Sequence, residues 1–284
     1  MTGASVLTLV KNRSAHLAQL VEGLRRSATR PAELVVVDMS DTPVAVTDTD
    51  FPVVIRRIDG DGLPLAKARN IAARTASSEH LVFLDVDCIP LRDCLARLVD
   101  VLAHDDALLC ADIRYLGPDD AAEGWSETTL RARGRRHPVR DFPEQGIRHE
   151  TNPGLFWSLA FAIRRARFRA LGGFDEAFMG YGAEDTDFGF RAAAADLPLF
   201  FVGGAIACHQ HHAGHEPPVQ HLDDIIRNAM VFHARWGRWP MEGWLDAFEA
   251  SGLIGRTPDR LFRRRPTEAA DLSRTAVTQP FQAR

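Results

Sequence analysis

The order of apolar runs in the first 115 residues restricts this chain more than any other feature. Ser5–Val10 is a short apolar run, and Leu17, Leu20, Val21 and Leu24 follow at helical spacing, with Ser14 placed as a cap. Leu34–Val37 and Val53–Ile55 are two further runs, and Leu65–Ala76 is Ala-rich and helical. His80–Leu84 is continuous and of strand length, Leu91–Leu102 carries its leucines on one helical face, and Leu108–Ile113 reads as another strand. This β-α-β-β-α-β-α-β order predicts an α/β fold: a Rossmann-like, mostly parallel sheet flanked by helices. Parallel strands need crossover connections, and these lay helices on both faces.

Gly117–Thr151 breaks the pattern. It is polar, with Arg131, Arg133, Arg135, Arg136 and Arg140 close together. It reads either as a solvated, mobile loop with some helix or as a flap over a phosphorylated or acidic ligand. Strand character returns at Leu155–Ile163, and Phe188–Ala195 is helical. Leu199–Val202 and Ala205–Cys208 read as two short strands, Leu222–Trp236 as an amphipathic helix, and Leu245, Phe248 and Leu253 as one more short helix. The expected division is a nucleotide-binding α/β half over 1–115 and an acceptor-binding, catalytic half of the same domain over 116–255. A disordered tail follows over 256–284, where apolar periodicity fades.

Several classes are disfavoured. A net charge of −4 argues against a nucleic-acid binder that works by phosphate neutralisation. No apolar run approaches the roughly 20 residues that span a membrane. The N-terminus enters a strand without a leader pattern, and the four cysteines form no C-x-x-C pair. That pattern predicts reduced, buried thiols in a cytoplasmic protein.

The chemistry gathers at four places besides the end of the His80–Leu84 run. That run stops at Asp85-Val86-Asp87, so two carboxylates lie at a strand tip, where α/β sheets bind ligands. Carboxylate oxygens there would hold a divalent cation, and the cation would hold phosphate. After the first strand, Thr8, Lys11, Asn12 and Arg13 can contact a nucleotide, and Asp38 at the second strand tip can accept the imide N–H of uracil. Arg69, in Ala68-Arg69-Asn70, sits near a helix start and is read as facing a diphosphate. Gly180–Asp187 combines two glycines with three acids in four positions, which a helix cap alone does not need. Cys208–His215 holds four histidines. A histidine joined to Asp87 makes a mixed N/O donor set suited to Mn²⁺ and tolerant of Mg²⁺.

In this order and spacing, the chain resembles an inverting family 2 glycosyltransferase of the GT-A fold, on the branch related to galactosyl- and N-acetylgalactosaminyltransferases. The residues that carry the resemblance are Val35-Val36-Val37-Asp38, Ala68-Arg69-Asn70, Asp85-Val86-Asp87, Gly172-Gly173-Phe174-Asp175-Glu176, Gly180–Asp187 and the distal histidines, across roughly residues 5 to 250. The resemblance implies a UDP-sugar donor and a hydroxyl-bearing acceptor. It implies metal held by Asp87 and His209, with His211 and His212 as rivals for the histidine role. Asp85 and Val86 join Thr8, Lys11, Asn12, Arg13, Asp38 and Arg69 in the nucleotide-sugar set. Asp185 is then the general base, and Glu184 orients the acceptor beside Trp157, Tyr181 and Gly182. Asp38-Met39-Ser40-Asp41 departs from the usual paired acids after the second strand.

Two other classes compete. A metallohydrolase would use His209, His211, His212 and His215 as a di-metal cluster, but its usual His-x-His-x-Asp-His pattern needs an acid where Ala213 stands. A non-catalytic nucleotide-sugar-binding module would not need Glu184 and Asp185 together.

Overall fold

A computed structural model describes residues 3–60, 62–122 and 124–264. The chain falls into two compact units, Met1–Gly180 with Glu184–His212, and Tyr181–Ala183 with the segment from Ala213 onward. In the first unit the elements run β1 (Ala4–Val10), α1 (Ser14–Arg26), β2 (Glu33–Asp38), β3 (Val53–Arg57), α2 (Leu65–Thr75), β4 (His80–Leu84), β5 (Cys88–Pro90), α3 (Cys94–His104) and β6 (Leu108–Tyr115). They continue through α4 (Glu127–Arg133), β7 (Ile147–Glu150), β8 (Ala160–Arg164), α5 (Arg165–Ala170), α6 (Glu184–Ala194) and β9 (Leu199–His209).

The sheet runs β3-β2-β1-β4-β8-β6-β9-β5, with β7 also paired to β9. It is parallel from β3 to β4 and again between β6 and β9. Strands β8, β5 and β7 run antiparallel to their neighbours. The α/β class is as the sequence predicts. Strands β1, β2 and β4 are buried along their whole length, which explains why they read as unbroken apolar runs. Their alternate residues feed two cores. Val6, Val36, Val82 and Ala162 face α1 and α3 residues such as Leu20 and Leu98. Leu7, Val35, Phe83 and Phe161 face α2 and an aromatic group containing Phe168, Phe174 and Phe188. Phe83 stacks on Phe161 at 4.4 Å, and Phe174 on Phe188 at 4.6 Å.

Three local expectations change. The two short strands after Leu199 are one strand: β9 bulges at Gly203 and Gly204, where the register with β6 jumps. A Cβ at Gly203 would stand 2.5 Å from the Pro143 carbonyl, and Gly204 has φ +78°. The glycine pair is thus a bulge device and not a break. The arginine-rich segment carries the expected helix, α4, and adds a strand, β7, that the sequence does not predict. Ser126 caps α4, Arg136 and Arg114 hold the buried Asp112, and β7 joins β9. Ser14 begins α1, and Arg13 takes the cap position without a side-chain cap bond.

Two sequence motifs meet behind the sheet. The buried Asn70 amide accepts from the Phe174 N–H at 2.8 Å and donates to the Phe174 carbonyl and Glu176. Arg191 donates to the carbonyls of Leu171 and Gly173, and is itself held by Asp187 at 2.7 Å. Gly173 has φ +70°, and a Cβ there would lie 2.5 Å from Asn70 Oδ1. Gly173→Ala therefore meets both backbone strain and a backbone-side clash with a buried amide. We expect a loss of about 2 kcal/mol or more in unfolding free energy, read as a lower midpoint in chemical denaturation. An unchanged midpoint would show that this turn relaxes freely.

The second unit holds α7 (Leu222–Trp236), α8 (Glu242–Ala250), β10 (Ile254–Arg256) and β11 (Leu261–Arg263). Ile225, Ala229, Leu245, Phe248, Ile254 and Leu261 form its core. The β10–β11 hairpin runs from Arg256 on through residues that the sequence assigns to the tail. Ile254 and Leu261 are two anchors too far apart to show a period, and burial of both is what orders the hairpin. The expectation for residues 265–284 lies outside the described residues. Among the described residues, no helix is long and apolar enough to cross a membrane.

Candidate active site

Parallel pairing brings the carboxyl ends of β1, β2 and β4 to one edge, because Val10 pairs with Asp38 and Leu7 with Phe83. The loops beyond these ends carry Lys11–Arg13, Asp38–Asp41 and Asp85–Asp87. Strand β5 then turns back and pairs with β9 so that Cys88 lies opposite His209. This reversal, too short to read in the sequence, carries the distal histidines to Asp87.

The Asp87 carboxylate is buried. Its Oδ1 lies 3.4 Å from His209 Nε2 and its Oδ2 3.5 Å from His212 Nε2. One ligand atom from each of the three residues falls within 4.8 Å of the others, and this is the one such grouping among the described residues. His211 is not part of it. The Gln210 side chain turns inward to the His16 carbonyl at 3.2 Å, which leaves His211 exposed and brings His212 back to Asp87. The grouping thus contains His212 and not His211. His215 belongs to the second unit. Arg13 Nη1 also reaches Asp87 Oδ2, at 2.6 Å.

The nucleotide-side residues have defined local bonds. Asp38 is buried, and its two oxygens accept from the Ser40 and Val44 N–H groups and from Arg57. Burial alone would raise its pKa, but these bonds outweigh burial and hold the carboxyl below its ordinary value. Asn12, at φ +55°, exchanges two side-chain bonds with Asp41. The altered acidic pair is thus used to join the loops after β1 and β2. Lys11 Nζ donates to the Gly62 carbonyl at 2.9 Å. Thr8 and Val86 are buried, and Thr8 Oγ1 has no hydrogen-bond partner among the described residues.

Arg69 does not face outward. It is 4% exposed, its Nη1 donates to Glu184 Oε1 at 2.9 Å, and its Nη2 lies 3.4 Å from Asp85 Oδ1. Glu184 is buried and Asp85 partly so, and Arg69 supplies the counter-charge that bridges them. Asp85 is pushed up to about 7, by burial first and then by Asp87 and Glu184, with Arg69 opposing. Glu184 is raised by burial and by Asp185, again against Arg69. Glu184 Oε2 is buried without a hydrogen-bond partner among the described residues.

Asp185 differs from its neighbour. Its side chain is only partly buried at the head of α6, with Oδ1 accepting from the Thr186 N–H at 2.7 Å and Oδ2 from the Ser158 N–H at 3.4 Å. Ser158 follows Trp157, a half-buried ring with His137 edge-on at 4.8 Å and Arg140 over its face at 5.0 Å. Arg140 is buried, and its Nε and Nη2 have no hydrogen-bond partner among the described residues. Nothing in the spacing of the five arginines distinguishes the one that turns inward. Tyr181 and Gly182 fall in the second unit, where Tyr181 stacks on His221 at 4.4 Å and on Trp244 at 6.0 Å.

Residues 5–172 match the family described as Glycosyl transferase family 2, and residues 138–215 match the N-terminal domain of galactosyltransferase. A validoxylamine A glucosyltransferase of Streptomyces hygroscopicus subsp. limoneus is 30% identical over 223 residues, or 69% of this chain and 49% of that protein. The chain thus spans about half the length of that relative, 49%. The crystal structure of GalNAc-T7 with UDP, GalNAc and Mn²⁺ superposes with a TM-score of 0.57 at 19% identity, over 75% of this chain and 44% of that one. The mannosyltransferase PcManGT from Pyrobaculum calidifontis, in complex with GDP-Man and Mn²⁺, superposes with a TM-score of 0.53 at 18% identity, over 91% of this chain and 77% of that one. At these identities the two structures establish the shared fold.

Proposed function

The chain belongs to glycosyl transferase family 2, and from that premise we propose that it transfers a hexose or N-acetylhexosamine from a UDP-sugar to an acceptor hydroxyl, with inversion and with Mn²⁺ or Mg²⁺ as cofactor. The observation that carries the proposal is the Asp87–His209–His212 donor set at the carboxyl ends of the sheet. One carboxylate and two imidazoles fit a divalent first-row cation, and their ligand atoms already lie within 4.8 Å of one another. Bound there, the cation would supply positive charge to the departing diphosphate.

The remaining roles belong to this chain's own groups. Asp185 takes the acceptor proton as the hydroxyl attacks the anomeric carbon from the face opposite the diphosphate. Of the two adjacent acids, it is the one with an accessible carboxylate, since Glu184 is 5% exposed and bound to Arg69. Glu184 and Arg69 hold the head of α6 against Asp85, and so fix the base relative to the metal ligands. Trp157 offers a flat apolar face to a sugar next to the Ser158–Asp185 contact. The metallohydrolase reading loses ground, because the metal-capable grouping among the described residues holds neither His211 nor His215.

Calorimetry with UDP, GDP, CDP and dTDP, each with Mn²⁺ and with EDTA, tests the reading. We expect metal-dependent binding, strongest for UDP. The GDP-Man complex of a protein with this fold makes GDP the informative competitor. A clear preference for GDP would overturn the UDP assignment, and equal UDP binding in EDTA would overturn the metal.

A further inference from the structure

We propose that Arg13 is the resident counter-charge of the metal site and that it couples the binding of the cation to the binding of the nucleoside diphosphate. The proposal rests on the reading of Asp87, His209 and His212 as metal ligands. Arg13 Nη1 stands 2.6 Å from Asp87 Oδ2, the same oxygen that His212 Nε2 faces at 3.5 Å. The guanidinium is therefore inside the donor set. A cation held by those three residues would lie within a few ångströms of it, and like charges at that range repel strongly where water is scarce.

One of the two partners has to give way, and the surroundings decide which. The Asp87 side chain is 7% exposed, so it cannot leave the site for water. The Arg13 side chain is 35% exposed and sits on the cap residue of α1, where it makes no cap bond with the helix. Its head can move without loss to the helix. Its base stays in place, because the first turn of α1 is tied to the histidine loop. His16 Nε2 lies 3.3 Å from the His211 carbonyl, and the His16 carbonyl accepts from Gln210.

A displaced guanidinium needs a new anion. The first turn of α1 has no acidic side chain and no side-chain cap, so its free N–H groups add to the positive charge at this point. A diphosphate meets both needs, and guanidinium–phosphate contacts are strong and often bidentate. Cation alone must break the Arg13–Asp87 pair for nothing in return. Cation with diphosphate replaces that pair with two others. The two ligands then raise each other's affinity by the same factor, as linkage requires.

The test is a Mn²⁺ titration followed by calorimetry and by electron paramagnetic resonance of free Mn²⁺, without nucleotide and with saturating UDP. Wild type should bind Mn²⁺ weakly alone and much more tightly with UDP. Arg13→Gln removes the charge, so it should bind Mn²⁺ alone about tenfold more tightly than wild type and lose about tenfold of the coupling. Arg13→Lys keeps a positive charge and should stay near wild type for Mn²⁺ alone. If Arg13→Gln binds Mn²⁺ alone no more tightly than wild type, while wild type takes up Mn²⁺ with UDP, the counter-charge role falls and the metal site stands. If Arg13→Lys behaves as Arg13→Gln does, charge is not the cause and the proposal falls too. If wild type takes up no Mn²⁺ even with UDP, the metal site itself is wrong.

Discussion

Asp87→Ala should abolish Mn²⁺-dependent UDP binding and leave the fold intact. Both oxygens of Asp87 are committed to the site, one toward His209 and one toward His212 and Arg13. Without the carboxylate, only two imidazoles remain, and changes even to the groups behind a metal ligand cost about 10–100-fold in affinity. The main-chain role of the residue survives, because the Asp87 carbonyl still accepts from the Gln210 N–H at 2.7 Å. The released Arg13 is part-exposed and finds water, so no buried charge is stranded and the stability change should stay near 1 kcal/mol or below. His212→Ala should share the defect, at about tenfold or more in Mn²⁺ affinity. His211→Ala should not, since its side chain is exposed. Calorimetry of UDP with Mn²⁺ on the three variants checks this, with thermal midpoints as the control. A defect in His211→Ala with a normal His212→Ala would reverse the assignment.

How far the sequence could be read follows from what each residue is packed against. Strands β1, β2 and β4 are apolar on both faces because helices cover both, and that burial is written directly as unbroken runs. Helix α7 was legible to the residue from its apolar stripe. Strand β5 was not legible, because Cys88–Pro90 is too short for any period, yet its pairing with β9 sets where the histidines go. Which histidine meets Asp87 was not legible either. It depends on Gln210 turning inward beyond the strand end, a side-chain choice made by the His16 carbonyl some 194 positions away. Arg69 shows the same limit. Its place at a helix start suggested an anion, and the anions it meets are carboxylates 16 and 115 positions away. A motif tells which charges are present. Pairing between distant segments decides which of them remain free for a ligand.

Asp185→Asn should lower kcat by about 10²–10⁴-fold with little change in donor affinity. The substitution keeps the shape of the side chain, and an amide oxygen can still accept from the Thr186 N–H that now holds Oδ1 at 2.7 Å. What it removes is the capacity to take a proton. The effect should therefore appear in kcat and leave the Kd for UDP with Mn²⁺ unchanged, because Asp185 is not among the grouped metal ligands. Glu184→Gln is the informative companion. Glu184 is one of two carboxylates that neutralise the buried Arg69, so its loss leaves Asp85, at 3.4 Å, as the remaining partner. Removing one member of a buried pair costs about 3–5 kcal/mol, so this variant should show a clearly lower thermal midpoint. Any loss of transfer in it would then track loss of folded protein. A base and a structural acid, adjacent in sequence, are in this way separated by two readouts. Near-normal kcat in Asp185→Asn, with a stable but inactive Glu184→Gln, would exchange their roles. Full activity in both would move the proton acceptor out of the head of α6 altogether.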